Sequence, residues 1–370
     1  MNTDCLPPGR RGTALFFLKK NAAPRRLGGF LFCLALFSCT QKPPAIQPAV
    51  YHWETHLALS HSETAYLDSL HCRYLYVKFL DIARDDAKTI RPYALLEVLD
   101  STGLAGRTVV PCVFIANNVF QDIPENQLDW LAQKTAQALH SVGGQFTPNQ
   151  FPEIQFDCDW TPTTRAAFFS FLKKMRNRLP AHTRLSATIR LHQYKFPDQT
   201  GVPPVDRGML MLYNTGDIDD PEAENSIFQP ADAHKYIHGA AATYPLPLDL
   251  ALPMFSWALV YRDGSLWKII PEPATETFRD TARYAPFPAG QDKRFLAKQA
   301  GYLGGQYLRP GDFLRVERMG RMLLKQAAEM ARDIDLADDA RLAFFHLDSA
   351  IVQRYPAPFL RELCETIRPE

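Results

Sequence analysis

A (β/α)8 barrel with an insertion between strands seven and eight is the fold this sequence predicts, and three observations predict it. Eight β-rich runs alternate mostly with helix-capable segments over about 300 residues, which is the arithmetic of such a barrel. Several runs, such as Met209 to Tyr213, are apolar without interruption, as expected of strands buried on both faces. One run, Glu153 to Trp160, ends in two acids and passes into a helix start at Thr161-Pro162, the way a βα unit presents a site. A doubly wound open sheet is the rival, but no Gly-rich fingerprint follows the first strand.

In order, Val50–Glu54 is the first strand, and a helical pattern from Ser62 places Ala65, Tyr66, Leu67 and Leu70 on one side. Strand two is Arg73–Ile82 and strand three Arg107–Ile115, where Pro111 suggests a bulge. A helix runs from Pro124 to Leu139, burying Leu128, Leu131 and Ala132. Strand four is followed by a helix through Phe168, Leu172, Met175 and Leu179. Leu185–Leu191, Met209–Asn214, Leu248–Phe255 and Leu342–Asp348 complete the eight. The insertion, about 257–340, opens with a hairpin whose turn is Asp263-Gly264. Farther on, Asp312 is expected to cap a helix through Leu314, Met319, Leu323, Ala327 and Met330.

On strand four the side-chain period of two puts Asp157, Asp159 and Thr161 on one face and Phe156, Cys158 and Trp160 on the other. At ~3.3 Å per residue the two carboxylates stand roughly 6.6 Å apart. Neighbouring acids on an apolar strand are costly to bury and seldom serve packing alone.

Composition sets the outer bounds. The formal net charge of +1 implies neither nucleic acid nor an acidic membrane surface as partner. Residues 1–38 form a targeting segment: Lys19, Lys20, Arg25 and Arg26 precede an apolar run from Leu27 to Phe37, too short to span a bilayer comfortably. It ends in Leu36-Phe37-Ser38-Cys39, which resembles the lipobox of bacterial lipoproteins and implies lipidation at Cys39. Residues 39–49 are a Pro-rich tether ahead of a barrel domain at 50–370. That arrangement implies a lipid-anchored protein of the cell envelope, facing the periplasm rather than the cell surface. Cys72, Cys112, Cys158 and Cys364 match no zinc spacing, so no metal and no cofactor is expected. Cys112 and Cys158 lie on strands expected to be neighbours, so they form either a disulfide or two buried thiols.

Phe156-Asp157-Cys158-Asp159-Trp160 resembles the core of the strand-four signature of family 18 glycoside hydrolases, the chitinases and endo-N-acetylglucosaminidases, written Asp-x-x-Asp-x-Asp-x-Glu. Met211-Leu212-Tyr213 is similar to that family's Met-x-Tyr on strand six, and Ala251–Phe255 to its Gly-Leu-Pro-Phe-Tyr run on strand seven. The resemblance implies Asp159 as the carboxylate that orients an acetamido group, Asp157 as its partner and Tyr213 as a donor to the attacking carbonyl. Two positions depart from the pattern: Ile154 replaces the first Asp, and Thr161 stands where the proton-donating Glu belongs. A threonine hydroxyl does not titrate near neutral pH, so it cannot act as the general acid.

Acids at C-terminal strand ends are the available substitutes: Glu54, Asp81, Asp217, Asp219 and Asp348, the last two residues from His346. Trp53, Trp160 and Trp257 are candidate sugar-stacking platforms, with Asn214 and His346 beside them. Two functions follow. One is a glycosidase that binds and cleaves an N-acetylhexosamine-type glycan with a displaced acid. The other is a catalytically inactive glycan-binding or structural envelope lipoprotein.

Overall fold

Eight parallel strands close on themselves in the computed structural model, in which residues 45–146, 151–238, 244–288, 290 and 292–368 are described. They are β1 (Gln47–His52), β2 (Tyr74–Arg84), β3 (Thr108–Ile115), β4 (Glu153–Asp157), β5 (Arg184–Arg190), β6 (Arg207–Met211), β7 (Leu248–Pro253) and β8 (Arg341–Phe345). Each pairs with the next, and β1 pairs with both β8 and β2, which leaves no open edge in the cylinder. The expected (β/α)8 barrel is therefore the fold of this chain, with every strand at its predicted ordinal.

Alternation along the strands separates two cores. Ala49, Tyr51, Tyr76, Cys112, Met209, Met211, Tyr213, Ala251 and Ala343 fill the interior. Leu75, Ile154, Phe156, Leu210, Leu250 and Phe344 face outward against helix residues such as Leu67, Leu131, Phe168, Leu324 and Leu360. The helices include α1 (His61–Ser69), α2 (Glu125–Gly143), α3 (Arg165–Arg176), α4 (Leu191–Lys195), α5 (Pro230–Ile237), α6 (Arg321–Met330) and α7 (Ala357–Ile367), with short unlabelled ones at Pro197–Thr200 and Ser349–Arg354. Ser60 and Glu63 form a capping box at the start of α1. Between β2 and β3 the helix is replaced by an antiparallel strand, Ile90–Leu95, that extends the outer half of β2.

Two local expectations are corrected. The bulge predicted at Pro111 sits on the facing strand, where Phe79 is the extra residue and its carbonyl accepts from Leu96 N–H. Asp312 does not cap a helix. Phe313–Arg318 is a strand, and α6 begins only after Gly320. Within that strand Leu314 is buried in one core while Arg315 and Glu317 pair with each other on the opposite face, a period of two rather than 3.6. Asp312 is held instead by Arg262 (Nε 2.9 Å, Nη2 2.7 Å), which keeps its carboxyl below the usual range against the opposing effect of burial.

Between β7 and α6 the chain builds a five-stranded antiparallel sheet with its own apolar core around Phe278, Tyr284, Phe295 and Leu314. Its first hairpin, Ser256–Arg262 with Ser265–Pro271, turns at Asp263 and Gly264, both at positive φ (52° and 78°), as a type I′ turn requires. All four described cysteines are free and buried. Cys112 lies in the interior and Cys158 in the outer core, so the two thiols face opposite sides of the wall. Among the described residues no helix is long and apolar enough to cross a membrane. The targeting segment and Cys39 lie outside the described residues.

Candidate functional site

The C-terminal ends of the strands surround a pocket of about 440 Å³. Of the residues singled out in the sequence, Trp53, Asp81, Asp157, Tyr213, Asn214, Trp257 and His346 line it. Phe255, from the strand-seven run, joins them, as do Arg190, Glu272 and Phe345, which no sequence signal marked. Phe345 stands 5.4 Å from Trp53, 6.0 Å from Tyr213 and 6.0 Å from Phe255 between ring centroids, so one wall is a continuous aromatic surface.

The β4 alternation runs as the sequence predicted, but the two acids do not form a pair. Asp157 is 7% exposed and accepts a 2.6 Å hydrogen bond from Thr188 Oγ1 on β5. Burial pushes its carboxyl above the usual range, with Asp159 and Asp81 adding to the rise and Arg190 and the Thr188 bond opposing it. Asp159 lies outside the pocket lining with its side chain 53% exposed, and Arg190 clamps it through Nε and Nη2. The same guanidinium lies 5.8 Å from the Tyr213 ring, and its Nη1 is buried with no partner among the described residues. Tyr213 donates to Met211 Sδ (3.1 Å), and burial raises its phenol well above the ordinary value.

Asp81 binds Lys78 (3.0 Å), whose ammonium lies 5.7 Å from the centre of the Trp53 ring, while the second oxygen of Asp81 is buried without a hydrogen-bond partner among the described residues. Glu272, at the end of the second insertion strand, has φ 41° and accepts from Ser256 N–H, Ser256 Oγ (2.7 Å) and Arg354 Nη2 (3.2 Å). His346 is 3.5 Å from Asp348, whose other oxygen accepts from Ile351 N–H (2.7 Å) and caps the short helix Ser349–Arg354.

Other residues singled out in the sequence fall elsewhere. Trp160 is not a stacking platform: it is fully buried outside the barrel, 5.4 Å from Phe168, with its indole N–H on Thr200 O (2.9 Å). The parity that turns Asp157 inward sends Trp160 outward. Glu54 is exposed and outside the pocket lining. Thr161 bonds the hydroxyls of Thr163 (2.9 Å) and Thr164 (3.2 Å), and its carbonyl accepts from Thr164 and Arg165 N–H at the start of α3. Asp217 accepts from Asp219 N–H in a surface turn. No cluster of three metal-ligating side chains occurs among the described residues.

No family's sequence profile matches the chain, and no curated protein matches it. Solved structures do. The spore cortex-lytic enzyme SleL of Bacillus cereus is 14% identical, covering 88% of this chain and 75% of its own, with a TM-score of 0.50. The SleL of Bacillus megaterium is 13% identical over 87% of this chain and 75% of its own, also at 0.50. A chitinase from Chromobacterium violaceum is 13% identical over 88% of this chain and all of its own (100%), again at 0.50. At such identity the likeness shows the class of fold alone, a (β/α)8 barrel.

Proposed function

We propose that the barrel mouth binds a glycan of the N-acetylhexosamine type and that the protein acts as a glycan-binding lipoprotein of the cell envelope. The resemblance to family 18 on strands four, six and seven supports the ligand class, as do neighbours named as a chitinase and cortex-lytic enzymes. One observation supports the binding reading over a hydrolytic one: Thr161, which the family 18 resemblance puts at the proton donor's position, has its hydroxyl bonded into the start of α3. Asp159 is likewise held by Arg190 rather than left to orient a substrate group. The aromatic wall stacks on the apolar face of a sugar, and Asp81, Asp157 and Asn214 line the pocket beside it.

A second reading rests on Asp157. Its raised carboxyl and its place in the pocket give it the property of a general acid, a contribution worth about 10²–10⁴-fold where it operates. Titration of N-acetylglucosamine oligomers by calorimetry, with reducing-end release on the same samples, separates the two. Binding without release is expected; release that disappears in Asp157→Asn would replace the first reading with the second. No binding to any such oligomer would end both. For the anchor, labelled palmitate incorporated into wild type and not into Cys39→Ala is the expected result, and equal labelling of both would rule it out.

A further inference from the structure

Glu317 lies in the antiparallel sheet, outside the barrel strands, and its side chain is wholly buried. Its Oε2 accepts from Trp257 Nε1 (2.7 Å), Ser226 Oγ (2.7 Å), Ser226 N–H (2.8 Å) and Ile227 N–H (3.3 Å), while its Oε1 takes Arg315 Nε (2.6 Å). Glu317 and Trp257 are direct cross-strand partners, so the sheet register sets their approach. Ile227 in turn accepts from Asn214 N–H (2.7 Å), which ties the loop after β6 to the same carboxyl. That loop closes tightly: a Cβ on Gly216 would come within 2.5 Å of Asn225 O.

One buried carboxyl thus holds two residues of the mouth that come from different elements, Trp257 directly and Asn214 through Ile227. We infer that Glu317 is a positioning residue: by gripping the indole N–H it fixes which face of Trp257 is presented to the ligand, and it makes the inserted sheet a working wall of the site. This inference rests on the glycan reading for the ligand and on the hydrogen bonds alone for the positioning.

The two parts are tested separately. In wild type, the Trp257 indole N–H, assigned with Trp257→Phe, is expected to exchange slowly with solvent, and its resonance to move in Glu317→Gln. Fast exchange in wild type would overturn the positioning whether or not the variant folds. Glu317→Gln is then expected to weaken N-acetylglucosamine oligomer binding about tenfold, the scale of a hydrogen bond to a charged group. In a Trp257→Phe background the same change should cost clearly less, because only the tie to Asn214 through Ile227 is left for it to disturb. An equal loss in both backgrounds would overturn the claim. A wild type that binds no oligomer would remove the glycan reading and leave the exchange measurement to decide the positioning.

Discussion

The two ends of the barrel treat buried charge in opposite ways. At the closed end Arg341 binds Glu153 (2.8 Å) and Tyr76 Oη (2.7 Å), stacks on Tyr74 (3.8 Å) and lies 4.0 Å from Asp249. Arg207 joins Asp249 (3.6 Å) and also pairs with Asp339. Each acid there faces an opposite charge, although Glu153 Oε1 is itself buried without a hydrogen-bond partner among the described residues. At the mouth Asp157 has only a hydroxyl as its hydrogen-bond partner, while one oxygen of Asp81 and one nitrogen of Arg190 have none. The difference between the ends therefore lies in Asp157, a buried acid bonded to a hydroxyl, against Glu153, a buried acid bonded to a guanidinium.

Breaking the closed end should have the largest effect. Glu153→Ala leaves Arg341 buried without its carboxylate and is expected to cost about 3–5 kcal/mol in urea unfolding. Affinity for glycan per folded molecule should be unchanged, since Glu153 does not line the pocket.

The next test uses pH, because burial shifts Asp249 at the closed end and His52 at the mouth in opposite directions. Burial raises Asp249 from 3.8 to about 6, so its contribution is full below pH 3.8 and is lost as pH rises through 6. His52, at the mouth end of β1, is lowered by burial from 6.5 to about 4, so its contribution is present above pH 6.5 and is lost as pH falls toward 4. Each is worth roughly 3 kcal/mol at most. Relative to wild type between pH 4 and 6.5, Asp249→Asn should tilt stability upward with pH and His52→Gln should tilt it downward. Equal slopes in both variants would dissolve the contrast.

Smaller effects sharpen the mouth. Trp257→Ala is expected to weaken oligosaccharide binding roughly tenfold and also to lower stability, since it takes a donor from the buried Glu317 carboxylate, as measured by calorimetry and thermal melting. Glu54→Ala, outside the pocket, should leave affinity unchanged and stability within about 0.5 kcal/mol.

Much of the fold was legible because it rests on local periodicity. The ordinals of the eight strands, the inward turn of Asp157 and the Asp263-Gly264 hairpin each depend on a few consecutive residues. The helix expected from Asp312 failed where two patterns overlapped: Leu314 belongs to a strand and Leu323 to the helix after Gly320. Arg190 was missed because an arginine ending a strand has no motif of its own; only barrel closure puts it between Asp159 and Tyr213.

By itself, then, the sequence determined which stretches become strands and which face of each strand turns inward, since alternation is a property of the chain's own geometry. Only the tertiary structure decided partners: that Asp159 goes to Arg190, that Glu272 reaches the mouth, and that Glu317 grips Trp257 across the sheet. Those contacts join positions far apart in the chain, and their distances are set by how the cylinder closes and where the inserted sheet settles, neither of which is written in any local pattern.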